Sequence, residues 1–242
     1  MANNRGLIAI TGASSGIGAA LARSFSADGH PVLLMARRIE RLEALELPEA
    51  ICAKVDVVDF EAVQGAVAQA EQRFGPLDAM INNAGVMKLS PVEEQDPAEW
   101  AQMLDVNVLG VLNGSRVALD SMLPRQHGTV INISSIAGRK TFPNHVAYVG
   151  SKFAVHGISE NLRSEVAGRN VRVSIVAPGA VETELLGHTT SADVIAGYED
   201  WKRSIGGALD AEAVVKAVRY IYDQPQSVCV REVVIANTLQ VD

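Results

Sequence analysis

The feature that most constrains the fold of this chain is a regular alternation of short apolar runs with longer amphipathic stretches. The runs are LIAIT (7–11), PVLLMA (31–36), ICAKV (51–55), LDAMI (77–81), TVINI (129–133), VRVSIVA (171–177) and VCVREVVIA (228–236). Most are continuously apolar, as strands buried on both faces of a sheet are. The stretches between them carry apolar residues at spacings of three and four, which predicts helices. Repeated strand–helix alternation predicts an α/β fold with a doubly wound parallel sheet.

The chain length fits one domain of this kind. The sequence has 242 residues, and no linker, low-complexity segment or internal repeat divides it, so we expect a single domain over 1–242. One long stretch, 183–208, has no strand pattern. We consider two interpretations of it: a lid over a pocket, or a surface excursion of two short helices.

Composition excludes several classes of function. The net charge of −7 argues against a nucleic-acid binder, because such proteins present a basic face. No run approaches the ~20 apolar residues of a membrane span, and the N-terminal run is too short for a signal peptide, so we expect a cytoplasmic protein. Cys52 and Cys229 lie in apolar runs outside any CxxC or His cluster, which predicts buried thiols and no metal site.

A glycine-rich loop follows the first predicted strand and opens the first helix. In TGASSGIG (11–18), Gly12 suits a tight turn, Gly16 allows the backbone to approach a phosphate, and Gly18 allows close packing of helix and strand. The amide groups at the start of the helix attract anions. The spacing GxxxGxG in this position predicts a site for the pyrophosphate of a dinucleotide.

The end of the second strand bears on the choice of dinucleotide. NAD sites place a carboxylate there for the ribose 2′-hydroxyl, but Ala36 is followed by Arg37 and Arg38. A guanidinium pairs well with a 2′-phosphate, so we predict NADP. NAD stays the alternative, if these arginines are only the solvated start of the next helix, as we expect for Arg41.

Three further residues suggest acid–base chemistry. Tyr148 and Lys152 lie four apart on a helix predicted over 147–167, hence on one face. An ammonium beside a phenol lowers the pKa of the phenol, so Tyr148 could exchange a proton with a substrate oxygen. Ser135 ends the fifth strand, where ligands bind in open sheets, and could hydrogen-bond a carbonyl oxygen. By itself Tyr-x-x-x-Lys is a common chance pattern of helices.

The motifs TGASSGIG, NNAG (82–85), Asn107, Ser135, YVGSK (148–152) and PGAVET (178–183) occur in one order. In that order and spacing the chain resembles the short-chain dehydrogenase/reductase family, from about residue 6 to its end. The resemblance implies a Rossmann-like domain with about seven parallel strands, and hydride transfer between a nicotinamide cofactor and a carbonyl or alcohol carbon. It also implies a homodimer or homotetramer, in which helices 97–122 and 147–167 pack against their counterparts.

The resemblance implies a role for each motif residue. Tyr148 would be the acid–base group, Lys152 would lower its pKa and bind the nicotinamide ribose, Ser135 would orient the substrate oxygen, and Asn107 would support a water-linked proton relay through Lys152. The implied cofactor-binding residues are Tyr148 and Lys152 together with Gly12, Ser14, Ser15, Gly16, Ile17, Gly18, Arg37, Arg38, Asp56, Val57, Asn83, Ala84, Gly85, Pro178, Gly179, Val181 and Thr183.

The substrate is less constrained than the reaction. We expect a small carbonyl or alcohol compound bound by Ser135, Ala137, Tyr148 and Leu186; further pocket candidates are Met87, Arg139, Pro143, Val146, Val181, Leu185 and His188. Stretches such as GVMKLSPVEEQDPAEW are similar to bacterial clavulanate-type aldehyde reductases and serine/3-hydroxy-acid dehydrogenases. That suggests a small polar or acidic substrate, whereas the candidates are mainly apolar. His145 and His156 are predicted not to be catalytic. A cofactor-sensing protein without chemistry is the rival function.

Overall fold

The structure of this chain is a computed structural model that describes residues 5–241. It contains seven strands and eight α-helices in the described part of the chain. In order they are β1 (Leu7–Thr11), α1 (Gly16–Ala27), β2 (Val32–Ala36), α2 (Ile39–Glu43), β3 (Ala50–Lys54), α3 (Phe60–Phe74), β4 (Leu77–Asn82), α4 (Pro97–Leu104), α5 (Gly110–Arg125), β5 (Thr129–Ile133), α6 (Val146–Val166), β6 (Arg172–Pro178), α7 (Ala192–Ser204), α8 (Ala211–Tyr222) and β7 (Glu232–Ile235).

All seven strands form one parallel sheet in the order β3-β2-β1-β4-β5-β6-β7. The chain therefore runs outward from β1 to β3, crosses back to β4 on the other side of β1, and continues outward to β7. This change of direction leaves a crevice at the carboxyl ends of β1 and β4, which is where ligands bind in such sheets. The predicted fold class, a doubly wound Rossmann-like sheet of seven strands, is confirmed.

The strands from β1 to β6 contribute to two separate cores, because successive side chains point to opposite faces. In β1, Ile8 and Ile10 pack on one face with residues of α1 and α8, among them Phe25 and Val218. Leu7 and Ala9 lie on the other face with residues of α3 and α5. Every residue of β1 is buried, which is why the strands read as continuous apolar runs rather than as alternating ones.

Several predicted boundaries differ from the structure. The helix predicted over 97–122 is divided: α4 ends at Leu104, one wider π-helical turn covers Asp105–Leu109, and α5 continues to Arg125. The last strand is shorter than predicted and begins at Glu232. It lies at the edge of the sheet. An edge strand pairs with one neighbour only and is more exposed, so fewer hydrogen bonds and apolar contacts stabilise its ends.

The prediction that both cysteines are buried is wrong. Cys229 is exposed and Cys52 is half-buried. Cys229 precedes β7 beside the sheet edge, and Cys52 lies in β3, the strand at the opposite edge. An edge strand has a neighbour on one side only, so an apolar run there does not imply full burial. Across residues 5–241, none of the helices combines the length and the apolar character needed to cross a membrane.

The close packing of α1 on β1 can be tested at Gly18. A Cβ at this position would lie 2.3 Å from the Gly12 carbonyl oxygen and 2.6 Å from Nδ2 of Asn83. We expect Gly18→Ala to lower the free energy of unfolding by about 1–3 kcal/mol, measured by urea denaturation. A Cβ on Gly65, inside α3, would meet no neighbouring group within 4 Å. Gly65→Ala is the control and should raise stability by about 0.5–1 kcal/mol; equal effects would contradict the packing argument.

Candidate active site

A cavity of about 840 Å³ lies at the carboxyl ends of the strands and spans the crevice between β1 and β4. Its volume falls within the range of roughly 300–1,000 Å³ that ligand pockets occupy. All the predicted catalytic and cofactor-binding residues line it except two, Gly18 and Asn107. The folded chain thus brings together motifs that are separated by as many as 171 positions in the sequence, from Gly12 to Thr183.

The glycine-rich loop has the backbone that its sequence predicts. Gly12 and Gly16 adopt φ values of +67° and +50°, in the left-handed region that favours glycine. A Cβ on Gly12 would lie 2.7 Å from the Cα of Ala84. The loop is held there by Asn83, whose Nδ2 donates to the carbonyl oxygens of Thr11 (3.0 Å) and Gly12 (3.2 Å). The turn after β4 therefore fixes the shape of the loop after β1.

The start of α1 fits the phosphates of a dinucleotide. Ser15 precedes the helix but its side chain makes no capping hydrogen bond, and the first turn has no acidic residue. The first amide groups of the helix and its partial positive charge are thus directed at the cavity without a protein carboxylate to neutralise them. Such a helix start binds phosphate groups, and Ser14, Ser15, Gly16 and Ile17 all line the cavity beside it.

Basic residues after β2 extend this positive region. Arg38 donates to the hydroxyl oxygens of Ser14 and Ser15, each at 3.1 Å, and pairs with Glu184 at 3.1 Å. Arg37 is exposed and lines the cavity. Arg41 pairs with Glu184 at 2.8 Å and is not among the lining residues, in agreement with its predicted place on the outer face of α2.

The three residues predicted to carry acid–base chemistry meet in the buried part of the cavity. Tyr148 and Lys152 lie on α6 with 6% and 5% of their surfaces exposed. Nζ of Lys152 lies 5.7 Å from the centre of the Tyr148 ring and donates to the carbonyl oxygen of Ile133 at 3.1 Å. Ser135 begins a single helical turn over Ile136–Gly138, and its hydroxyl oxygen accepts from the amide of Ala137 at 3.1 Å. The Ser135 hydroxyl also lies near the Tyr148 phenol.

Burial dominates the pKa values of this pair. Desolvation raises the pKa of the Tyr148 phenol, and the nearby Ser135 hydroxyl opposes that rise only in part. Desolvation lowers the pKa of Lys152 to about 8. Both groups lose water on burial, which favours the neutral form of each. The effect of Lys152 on the pKa of Tyr148 stays a prediction.

Asn107 supports the cavity from behind instead of lining it. It lies in the π-helical turn between α4 and α5 and is fully buried. Its Oδ1 accepts from the amide of Val86 at 2.8 Å, and its Nδ2 donates to the carbonyl of Val86 (2.9 Å) and to Oγ of Ser151 (3.0 Å). The side chain thus ties the turn after β4 to α6, one residue before Lys152. Single π-helical turns are frequent at functional sites.

The substrate end of the cavity differs from its prediction. Arg139 and Val146 do not line it: Arg139 pairs with Glu232 at 2.9 Å, and Val146 is 58% exposed. Both follow β5 in the sequence, but the chain turns them outward. The remaining candidates do line the cavity, namely Met87, Ala137, Pro143, Val181, Leu185, Leu186 and His188.

Sequence reasoning missed a group of aromatic lining residues. Phe142, Tyr198 and Trp201 line the cavity, as does His145, which is predicted not to be catalytic. Tyr198 and Trp201 lie three apart on α7, so they share one helix face, and that spacing is the signal that could have identified them. The segment 183–208 contains a short helical turn over Glu184–His188 and α7, and whether it closes over the cavity stays a prediction. Within residues 5–241 no group of three or more potential metal ligands occurs.

Comparison with known proteins agrees with this architecture. The sequence profile of the family described as short chain dehydrogenase matches residues 7–193. An uncharacterised oxidoreductase of Staphylococcus saprophyticus is 37% identical over 240 residues, which cover 97% of this chain and 96% of that protein. A glycine betaine reductase of Emericella nidulans is 39% identical over 93% of this chain but only 18% of its own length. A solved serine dehydrogenase in complex with NADP+ has a TM-score of 0.88 and 29% identity, covering 95% of this chain and 94% of that one.

Proposed function

Because the chain belongs to the short-chain dehydrogenase family, we propose that it is an oxidoreductase that interconverts a carbonyl group and an alcohol on a small molecule with NADP(H). The observation that supports this most directly is the single cavity in which the glycine-rich loop and the residues Ser135, Tyr148 and Lys152 lie together. An enzyme that transfers hydride needs the phosphate site and the proton donor to open into one space, because cofactor and substrate must touch.

The side chains supply the proton half of the reaction. When bound, the nicotinamide supplies a hydride to the carbonyl carbon. Tyr148, protonated because burial raises its pKa, donates its proton to the carbonyl oxygen. The π bond of the carbonyl is thereby replaced by one C–H and one O–H bond, and the C–O single bond remains. Ser135 holds that oxygen by a hydrogen bond. The Lys152 ammonium stabilises the phenolate that Tyr148 leaves behind, and the reverse steps oxidise the alcohol.

Asn107 acts in this proposal as a positioning residue. Its side chain holds the turn around Val86 against Ser151, which precedes Lys152 on α6. One lone pair of its Oδ1 is left for a water-linked relay to Lys152, because both Nδ2 protons and one acceptor position are already used.

Removal of the phenolic hydroxyl tests the proton transfer. We expect Tyr148→Phe to lower kcat for aldehyde reduction by about 10²–10⁴-fold, because the variant keeps the ring but has no proton to donate. NADPH binding, followed by fluorescence, should change little. Tyr220→Phe is the matched control, since Tyr220 is exposed on α8. Unchanged turnover in Tyr148→Phe would contradict the mechanism and would leave the cofactor-sensing alternative standing.

NADP is the cofactor that the charges of the site favour. Arg37 and Arg38 follow β2, which ends without a carboxylate to bind a ribose 2′-hydroxyl. Arg37 lines the cavity and has no protein partner among the hydrogen bonds and ion pairs of the described residues. A guanidinium in this position can form two parallel bonds with a 2′-phosphate. The NADP+ bound to the similar serine dehydrogenase supports the same choice.

Replacement of one arginine tests the cofactor preference. We expect Arg37→Ala to raise the Kd for NADPH by about tenfold or more, the size of one lost charge-assisted contact, and to leave the Kd for NADH nearly unchanged. Arg41→Ala is the control, because Arg41 pairs with Glu184 and does not line the cavity. An unchanged Kd for NADPH in Arg37→Ala would mean that the arginine is only solvated, and NAD would become the better proposal.

Exposed apolar side chains on α4 to α6 support a homodimer or homotetramer. Leu104, Leu112 and Phe153 are 47%, 43% and 44% exposed, although they lie on helices that otherwise cover the sheet. Apolar patches of this kind commonly mark protein interfaces. Two other apolar residues of these helices, Met103 and Val111, are instead buried. The cytoplasm stays our predicted location.

The relatives suggest two kinds of small substrate. One solved relative is a serine dehydrogenase and another relative is a glycine betaine reductase. Both names describe small, polar, charged molecules, in line with a small carbonyl or alcohol substrate for this chain. The two compounds differ in the cationic group they carry, which is a primary ammonium in serine and a quaternary ammonium in glycine betaine.

A further inference from the structure

Four aromatic rings form a closed circuit beside Tyr148, and the proton transfer does not use them. The ring centres of neighbouring members are 5.7 Å apart for Phe142–His145, 6.4 Å for His145–Tyr198, 5.2 Å for Tyr198–Trp201 and 6.4 Å for Trp201–Phe142. All four side chains line the cavity. The His145 ring lies 6.1 Å from the ring of Tyr148, so the circuit adjoins the reacting centre. We call these four residues the aromatic circuit.

The aromatic circuit has the chemistry to hold a cation. The faces of aromatic rings carry partial negative charge and attract cations that lie within about 6 Å of the ring centre. Since neighbouring ring centres are at most 6.4 Å apart, a group in the middle of the circuit lies within about 6 Å of every ring. Burial lowers the pKa of His145, which favours its neutral imidazole, and a neutral ring does not repel a cation.

The charges around the aromatic circuit favour the same kind of ligand. Glu182, Asp193 and Glu199 line the cavity, as does Lys202, which follows Trp201 on α7. Lys202 is bound by Glu182 at 3.2 Å and by Glu199 at 2.8 Å. Because two carboxylates share this one ammonium, their excess negative charge disfavours an anionic group beside Trp201. Arg139, one of the predicted pocket candidates, pairs with Glu232 outside the cavity.

We propose that the enzyme acts on small aldehydes, and the corresponding alcohols, that carry a quaternary ammonium group one or two carbons from the reacting carbon. A quaternary ammonium donates no hydrogen bonds and is less strongly held by water than a primary ammonium, so it suits a site made of aromatic rings. The carbonyl oxygen then lies at Tyr148 and Ser135 while the cation occupies the aromatic circuit. This substrate class rests on the proposed reductase function.

Three aldehydes of similar size test the proposal. They are trimethylammonioacetaldehyde, its neutral carbon isostere 3,3-dimethylbutanal, and the anion 4-oxobutanoate, each assayed with NADPH and corrected for the hydrated fraction. We expect kcat/KM for the cation to exceed that of the isostere by about tenfold or more, and the anion to be poorer than the isostere. A cation-to-isostere ratio near or below one would overturn the proposal.

Variants of the aromatic circuit test whether the rings cause the preference for the cationic aldehyde over its neutral isostere. Trp201→Leu and Tyr198→Leu should bring the ratio close to one, whereas Trp201→Phe, which keeps a ring, should retain most of it. Tyr220→Leu is the matched control, because Tyr220 is 57% exposed on α8, and it should leave the ratio unchanged. An unchanged cation-to-isostere ratio in both Trp201→Leu and Tyr198→Leu would contradict the proposal that the aromatic circuit binds the cation.

A binding measurement separates this inference from the reductase function. Tetramethylammonium has no carbonyl group, so its binding, measured by calorimetry, does not depend on turnover. Binding that Trp201→Leu weakens by about tenfold would support the aromatic circuit even if none of the aldehydes were reduced, in which case only the proposed reaction would fail. Absence of tetramethylammonium binding together with reduction of the neutral aldehyde would overturn the inference and keep the reaction.

Discussion

The site depends on the burial of an ammonium and a phenol beside each other at the carboxyl edge of the sheet. Lys152 and Tyr148 are each more than nine-tenths buried, and desolvation moves their pKa values in opposite directions, down for the lysine and up for the tyrosine. Burial of the charged lysine destabilises the folded protein. The free energy of unfolding therefore rises as pH rises from about 8, where the buried lysine loses its proton, towards the ordinary lysine pKa of about 10.4. The single hydrogen bond from Nζ to Ile133 offsets that destabilisation only in part.

The fold provides the rigid frame that such a pair requires. β5 supplies the carbonyl of Ile133, and the turn after it supplies Ser135. The π-helical turn at Asp105–Leu109 places Asn107 where it joins the turn after β4 to α6. The same turn after β4 holds the glycine-rich loop through Asn83. The turn after β4 therefore connects the glycine-rich loop with α6, which carries Tyr148 and Lys152.

Most of the fold and the backbone of the glycine-rich loop could be predicted from sequence, because both depend on local patterns. Continuous apolar runs identify buried strands, and glycines identify the loop whose positive φ values they permit. The errors lie where tertiary context decides. Cys229 and the start of β7 depend on being at the sheet edge, and Arg139 depends on a partner, Glu232, that is 93 residues away. The aromatic circuit joins residues from two distant segments, and no spacing within one segment shows that they meet.

The burial of the ammonium and phenol is tested most directly by an NMR titration of the lysine side chains in the cofactor-free protein, with each lysine carrying a carbon-13 label next to its nitrogen. We predict that one resonance, absent from Lys152→Met, titrates near pH 8, well below the usual lysine pKa of about 10.4. If every lysine resonance, including that of Lys152, titrates at about pH 10 or above, then Lys152 is not desolvated and the site does not depend on a buried ammonium.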